Sequence, residues 1–499
     1  MANVYLNDFF KKFEFEGLTF DDVLIKPGKS EVVPSDVDLE TRLSANIPLN
    51  SPITSADMST VTEADMAIEL AKQGGIGFLW KSSIEEQEDW LDEVKYTFNA
   101  RIENPVTVFE SDTLEDAAKK LEHYGNKFSS LVVVDKENKV TGLLTKDKYQ
   151  FGHGSEIVKD YMVSNPVTSE KDFTVQEAYD FMKTNRIAKL IITEENTPKG
   201  LFCYTDVKSI IEGITPLYNR DKKGQLVVGA NVGVHDFERA ERLLKKKCDA
   251  LLVGTAHGHS KNVRDTVLEL KKQFSSHEFD IIAGNAATYE GAEYLFKAGA
   301  DAVKVGVGPG SICTTRIVSG AGRAQVSAIH ETAKAGEKYG RPVIADGGIR
   351  YPGDITKALA AGASSIMTGS LFAGTEESPG DIKTDDKGNL YKEYIGMGSL
   401  KAMKGSESSK ERYKQEKSSK DKLVPEGIEG GVPYKGSVRN IIFQYLGGLR
   451  SGMGYAGAEN IKALHENVRF DRISPAGLKE SHPHDLKMIK EAPNYEGVK

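Results

Sequence analysis

Three cysteines in 499 residues, Cys203, Cys248 and Cys313, are too few and too scattered for a disulfide framework or a cysteine-based zinc cluster. Such sparing use points to a reducing compartment. Long apolar runs are also missing. No stretch could span a bilayer, and Met1 to Phe20 mixes charged and aromatic residues with none of the apolar core of a secretory signal. Nor is there an excess of positive charge: 65 Lys and Arg against 73 Asp and Glu leave a formal net charge of -8. General affinity for nucleic acid or acidic membranes is thereby excluded, so any phosphate-bearing ligand must be held by a local site. With 39% hydrophobic and 28% charged residues the chain reads as a soluble, cytoplasmic protein with a full core. Its length allows two or more domains, or one large barrel with an insertion.

Short apolar runs recur, most of them followed by a helical stretch. They are Pro52-Ile-Thr-Ser-Ala, Gly74-Gly-Ile-Gly-Phe-Leu, Leu226-Val-Val-Gly-Ala, Ala250-Leu-Leu-Val, Asp280-Ile-Ile-Ala, Ala302-Val-Lys-Val, Pro342-Val-Ile-Ala and Ser365-Ile-Met-Thr. Helices are expected near Glu63 to Gln73, Ile84 to Tyr96, Phe237 to Lys247 and Tyr289 to Ala298. Eight strand–helix units predict an α/β fold, a (β/α)₈ TIM barrel with its chemistry at the C-terminal ends of the strands. An open doubly wound sheet is the competing architecture. Glycine-rich loops after several late strands weigh against it.

The series breaks at about residue 101 and resumes after 216. The interruption carries its own repeat at a period of about sixty residues, which means two stacked copies sharing a buried face. Pro105-Val-Thr-Val and Pro166-Val-Thr-Ser lead into Thr113-Leu-Glu-Asp-Ala and Thr174-Val-Gln-Glu-Ala, and each copy ends in paired apolar strands. This insert resembles a pair of cystathionine-β-synthase (CBS) modules, a Bateman domain, a class that often binds adenine or guanine nucleotides. The usual Thr-x-x-Asp pattern is partial here, with Lys148 three residues after Thr145 and Cys203 three before Asp206. A purely structural insert is the alternative. The expected organisation is therefore 1–100 and 217–499 as the two parts of a catalytic barrel, with 101–216 inserted between them.

Beyond the last strand, residues 401–422 are rich in Lys, Ser and Glu, a composition that predicts a mobile segment. Long loops in compact enzymes are often lids, and Arg412-Tyr413 would be carried to the site on closure.

Chemistry concentrates in the stretch from Lys304 to Arg316. A strand-like run opens into Gly306, Gly308, Pro309 and Gly310, then Ser311-Ile312-Cys313-Thr314-Thr315. Glycines that adopt positive φ let N–H groups face a phosphate, or carbonyls face a cation. Cys313 reads either as a small buried thiol after a tight turn or as a nucleophile, and Ser311, Thr315 and Arg316 within one turn favour the nucleophile. Two further glycine loops suit a phosphate, Asp346-Gly347-Gly348 after the seventh strand and Thr368-Gly369-Ser370 after the eighth. Asp346, with no obvious cationic partner in the sequence, is placed to accept from ribose hydroxyls. Tyr394 and the backbone of Gly396-Met397-Gly398 offer more donors.

Ser-Ile-Cys-Thr-Thr-Arg, Asp-Gly-Gly-Ile, Gly-Met-Gly-Ser-Leu, Glu-Arg-Tyr and Pro-Glu-Gly-Ile-Glu-Gly together resemble the inosine-5′-monophosphate (IMP) dehydrogenase family, and the likeness runs over nearly the whole chain, from Leu18-Thr-Phe-Asp-Asp-Val-Leu to Glu480-Ser-His-Pro-His-Asp. The resemblance implies NAD-dependent oxidation of IMP to xanthosine monophosphate on the route to guanine nucleotides. Cys313 would attack C2 of the purine, hydride would pass to NAD, and the covalent thioimidate would be hydrolysed once the Arg412-Tyr413 flap closes. Arg412 would activate the water with help from Tyr413, Thr315 or Glu426, because a guanidinium alone is a poor base. Met58 and Met397 would pack on the base and Glu426 would read its N1 edge. NAD would lie along Gly254, Thr255, His257, Asn285, Gly306, Val307 and Gly308. Potassium would sit on carbonyls of Gly308, Gly310 and Cys313, completed by Glu480, Ser481 and His482 of a neighbouring copy, which implies a homotetramer.

Three positions depart from the family pattern. Gly254 stands where an aspartate usually meets the nicotinamide ribose; losing a charge-assisted hydrogen bond of about 1.5–3 kcal/mol weakens NAD about ten- to a hundredfold. Ser55-Ala-Asp57-Met58-Ser59 moves a carboxylate by two positions, and Trp80 replaces a common histidine. Asp57 or another group is expected to cover for the missing carboxylate in part, or turnover is poor. GMP reductase, an FMN-dependent barrel oxidase and a weakly active nucleotide-binding assembly protein are the other readings. The Arg412-Tyr413 pair favours the dehydrogenase.

Overall fold

The computed structural model describes residues 3–14, 16–98, 100–103, 105–123, 130–415, 418–485 and 492–495. Residues 416 and 417 of the predicted flap lie outside this set. The chain divides into two compact units, Met1–Glu88 with Val228–Lys499, and Asp89–Val227.

In the larger unit eight parallel strands form a closed barrel: β1 (Ile53–Ser55), β2 (Ile76–Leu79), β3 (Gly229–Asn231), β4 (Ala250–Gly254), β5 (Asp280–Ala286), β6 (Ala302–Val305), β7 (Val343–Asp346) and β8 (Ser365–Thr368). Closure rests on β8 pairing with β1, Ile366 opposite Ile53 and Thr368 opposite Ser55, which removes the open doubly wound alternative. Every residue of these strands is buried except Asp346, half-buried at the end of β7. That explains why they read as unbroken apolar runs, since both faces of a barrel strand are covered. The third run differs from expectation. Its ladder begins at Gly229, because the Val228 N–H donates to the Asp249 carboxylate at 2.8 Å rather than to a neighbouring strand.

Local chemistry sets the helix limits. In Tyr289–Ala298 the Thr288 hydroxyl accepts from the Gly291 N–H at 3.1 Å, and Gly299 at φ 108° ends the helix. Thr288→Ala is expected to cost about 1 kcal/mol, read as a lower urea midpoint at unchanged slope. The N-terminal face of the barrel is tied shut by Asp280, whose carboxylate accepts from Ser44 Oγ at 2.6 Å, the Asn46 N–H at 2.8 Å and Asn46 Nδ2 at 2.7 Å. Chemistry is left to the opposite face. There a three-stranded sheet of Lys383–Thr384, Leu390–Ile395 and Glu429–Pro433 brackets the flap. The described flap contains two short α-helices, Leu400–Gly405 and Glu407–Arg412, and a 3₁₀ turn, Lys420–Lys422, within the segment whose composition predicts mobility.

The smaller unit repeats one motif. Thr107–Phe109 runs parallel to Ser130–Val134, and Thr168–Ser169 runs parallel to Lys189–Glu194; each pair is extended by an antiparallel strand. The helices Leu114–His123 and Val175–Asn185 open with the same reciprocal cap, Thr113 with Asp116 and Thr174 with Glu177. Cys203 Sγ lies 2.9 Å from Lys189 Nζ.

Candidate active site

The loop after β6 folds as its glycines require. Gly306 has φ 152° and Gly308 φ 82°, and a Cβ on Gly306 would stand 2.2 Å from the Asp346 carbonyl oxygen. Gly310 does not use positive φ, so two of the three glycines take the conformation expected of all three. The loop is then pinned from across the barrel mouth: the Thr314 N–H donates to the Glu426 carbonyl at 2.9 Å and the Ile428 N–H to the Ile312 carbonyl at 3.0 Å. Cys313 is held between them. Its Sγ donates to Thr315 Oγ1 at 3.2 Å and is half-buried, whereas Cys203 and Cys248 are buried.

Cys313 and Thr315 line a cavity together with residues from several strand ends of the barrel, the bracketing sheet and the flap. The turn after β1 supplies Asp57 and Met58, the loop after β4 supplies Thr255, and β5 supplies Asn285. Asp346 and Gly347 come from the end of β7, Tyr394 and Gly396-Met397-Gly398 from the bracketing sheet, and Arg412-Tyr413 from the flap. Gly306, Gly308 and Gly310 complete the wall. Other expected residues stand just behind it. A Cβ on Gly369 would lie 2.7 Å from the Tyr394 hydroxyl and 3.0 Å from Met58 Sδ, so this glycine lets the ring close over β8. Ser311 hydrogen-bonds Tyr394, and Gly348, at φ 83°, packs against Pro309. The Val307 carbonyl accepts from Arg316 Nε at 3.1 Å, and the Ser370 carbonyl from Lys435 Nζ at 3.3 Å. Gly254, His257 and Glu426 are likewise off the wall. Glu480, Ser481 and His482 end the helix Pro475–Glu480 away from it, His482 Nδ1 meeting the Tyr495 hydroxyl at 3.0 Å.

Four charges meet at the mouth. Lys304, wholly buried in β6, donates to Asp346 Oδ2, which also accepts from Asn285 Nδ2 at 2.9 Å. The expectation that Asp346 lacks a cationic partner is thus corrected. Arg412 Nη1 donates to Asp57 Oδ2 at 2.7 Å, and Asn231 Nδ2 donates to the same oxygen. Burial on its own would raise the Asp57 carboxyl, but Arg412 and Lys304 outweigh it and hold the group below the usual carboxylate range. Burial likewise opposes the Arg412 charge, and Asp57 outweighs that too, so the guanidinium holds its proton more tightly than usual. Burial pushes the Tyr413 phenol up to about 12, against the pull of Arg412, and also raises Tyr394. Both phenols are therefore donors at neutral pH.

A barrel of this topology, with a cysteine on the β6 loop and an Arg-Tyr flap folded into its mouth, agrees with the family model that matches residues 17–484, the IMP dehydrogenase / GMP reductase domain. The chain belongs to this family. It is 49% identical to inosine-5′-monophosphate dehydrogenase of Aquifex aeolicus, over 96% of this chain and 98% of that protein. Its identity to the Helicobacter pylori (strain J99) enzyme of the same name is also 49%, with the same coverage. Among solved structures, a Cys-to-Ala variant of GMP reductase from Trypanosoma brucei in complex with guanosine 5′-monophosphate superposes with a TM-score of 0.85 at 39% identity, covering 94% of this chain and 98% of that one. The same reductase in complex with guanosine 5′-triphosphate gives a TM-score of 0.75 at 36% identity, covering 92% and 98%.

In this family member sequence reasoning missed Lys304, Asn231, Lys81 and Glu411. Glu411 is the residue before the flap arginine; its carboxylate accepts from Lys81 Nζ at 2.6 Å and from the Val234 N–H. Lys304 did leave a trace, as a lysine within an apolar barrel strand. A lysine there has to meet a carboxylate, here on the neighbouring strand β7, because a lone buried ammonium is too costly. The charge partner of Arg412 is Asp57, a pairing the sequence did not suggest. Trp80 takes no place in the cavity wall, and its Nε1 donates to Glu63 Oε1 at 3.2 Å. No helix among the described residues is long and apolar enough to cross a membrane.

Proposed function

We propose that the chain oxidises IMP to xanthosine monophosphate with NAD, through a covalent bond between Cys313 Sγ and C2 of the purine. The observation that carries this reading is the flap: Arg412 and Tyr413 line the same cavity as Cys313, with Arg412 fixed by an ion pair to the barrel. A site of that form suits two steps. Thiolate addition and loss of hydride come first, and hydrolysis of the thioimidate follows, with the flap in the space the dinucleotide has left. The balance is IMP, NAD⁺ and water going to xanthosine monophosphate, NADH and a proton.

The residues present fit the dinucleotide. Asp57 Oδ1 and Asn285 Oδ1 are buried acceptors with no partner among the described residues, and both belong to the cavity wall. Bound there, NAD supplies the hydride acceptor. Asp346, Gly347 and the turns at Gly348 and Gly369 would hold ribose and phosphate, Ser311 and Ser370 the phosphate, and Met58 and Met397 the purine, with Glu426 at its N1 edge. With its charge fixed by Asp57, Arg412 orients water rather than accepting a proton while that pair holds. For a potassium ion, the carbonyls of Gly308 and Cys313 accept no hydrogen bond among the described residues, and that of Gly310 accepts one, from the Cys313 N–H at 3.1 Å. Oxygen donors of this kind suit a hard monovalent cation. Glu480, Ser481 and His482 would come from a second copy, in a homotetramer. The smaller unit, with its doubled motif, is a CBS pair for an adenine or guanine nucleotide.

GMP reduction is the second reading, favoured by the likeness to the T. brucei reductase at 39% identity. The two separate cleanly. Absorbance of NADH should rise with IMP and NAD, and no NADPH should be consumed with GMP. Consumption of NADPH with release of ammonia, and no NADH from IMP, would reverse the assignment.

A further inference from the structure

Asp57 is 1% exposed, yet it lines the active-site cavity and one of its oxygens, Oδ1, has no partner among the described residues. A buried carboxylate is tolerable only when paired. Its ion-pair partner, Arg412, comes from the flap, 355 positions further along the chain, while Asn231 and the field of Lys304 belong to the barrel itself. Withdrawal of the flap therefore leaves Oδ2 with Asn231 alone and Oδ1 still without a donor among the described residues. The space around it is equally specific. A Cβ on Gly254 would stand 3.3 Å from Asp57 Oδ2 and 3.2 Å from Asn231 Nδ2, so any side chain at the end of β4 would enter the volume this carboxylate fills.

Building on the dehydrogenase reading, we propose that Asp57 is the positioning residue of this site, one carboxylate taken in turn by Arg412 of the closed flap and by ribose hydroxyls of the dinucleotide when the flap is open. Gly254 is the space that lets it stand there. The two occupants exclude each other because both need Oδ2, the oxygen Arg412 holds with the flap closed. A vicinal diol offers two donors side by side, one for Oδ2 and one for Oδ1, the oxygen that Arg412 leaves unpartnered. Asp57 thereby makes flap closure wait for the dinucleotide to leave.

The test is a cycle of Asp57→Asn, Gly254→Asp and Asp57→Ala/Gly254→Asp, with two readouts that need no turnover. One is the rate of tryptic cleavage within residues 401–422 of the ligand-free protein; the other is the NAD dissociation constant by equilibrium dialysis. Asp57→Asn, nearly isosteric, should speed flap cleavage and weaken NAD, each about ten- to a hundredfold. Gly254→Asp should be at least as damaging, since it sets a second carboxylate beside the first. The double variant should recover most of both losses, because one carboxylate again occupies one space. An unchanged flap and unchanged NAD affinity in Asp57→Asn would overturn the proposal, as would a double variant no better than the worse single. Wild-type protein that binds NAD and protects its flap, yet forms no NADH from IMP, would reject the dehydrogenase reading and leave the role of Asp57 standing.

Discussion

Cys313→Ala is expected to lower NADH formation from IMP by at least about a thousandfold while leaving IMP binding close to wild type. The separation follows from where the sulfur sits. Its neighbours in the wall, Met58, Asp346, Gly347 and Tyr394, are the groups proposed to hold the nucleotide, and none of them depends on the thiol. The thiol contributes the bond to C2, which no neighbour can supply: Thr315 Oγ1 is 3.2 Å from Sγ but is a far weaker nucleophile. Binding is read by dialysis with IMP and turnover by absorbance. A variant retaining a tenth of the wild-type rate would remove the cysteine from the chemistry.

Lys304→Met is the second large effect. The ammonium is wholly buried and its partner Asp346 is 17% exposed. Removing the cation strands a carboxylate at the centre of the barrel mouth. Breaking a buried pair costs about 3–5 kcal/mol, and the partial exposure of Asp346 argues for the lower end. The urea midpoint of the larger unit should fall accordingly. Lys304→Met/Asp346→Asn should regain much of that stability while binding the nucleotide more weakly than wild type, because an amide offers one neutral acceptor oxygen where the carboxylate offered two charged ones. A single variant as stable as wild type would show that the pair is not what fixes Asp346.

How far the sequence carried can be judged from these same residues. The barrel strands were legible because both faces are buried, so they appear as short apolar runs. What decides barrel against open sheet, the pairing of Ile366 with Ile53, joins positions far apart and leaves no local pattern. The loop around Cys313 was legible for a different reason, since glycines and a cysteine at a strand end restrict the possibilities. The flap was legible as a segment, but its partners were not. Its composition describes an isolated polar segment, whereas Glu411 and Arg412 are neutralised by Lys81 and Asp57, 330 and 355 positions earlier. Ion pairs of that range have no periodicity to detect. Asp57 itself was visible as a displaced carboxylate, but the room that Gly254 leaves for it exists only in three dimensions.

The most direct measurement is peptide mapping by mass spectrometry of protein quenched in acid during turnover of IMP and NAD. The account predicts that the peptide containing Cys313 gains the mass of IMP less one hydride and one proton, and that the gain is absent when NAD is left out. A Cys313 peptide that remains unmodified throughout steady NADH production would contradict it.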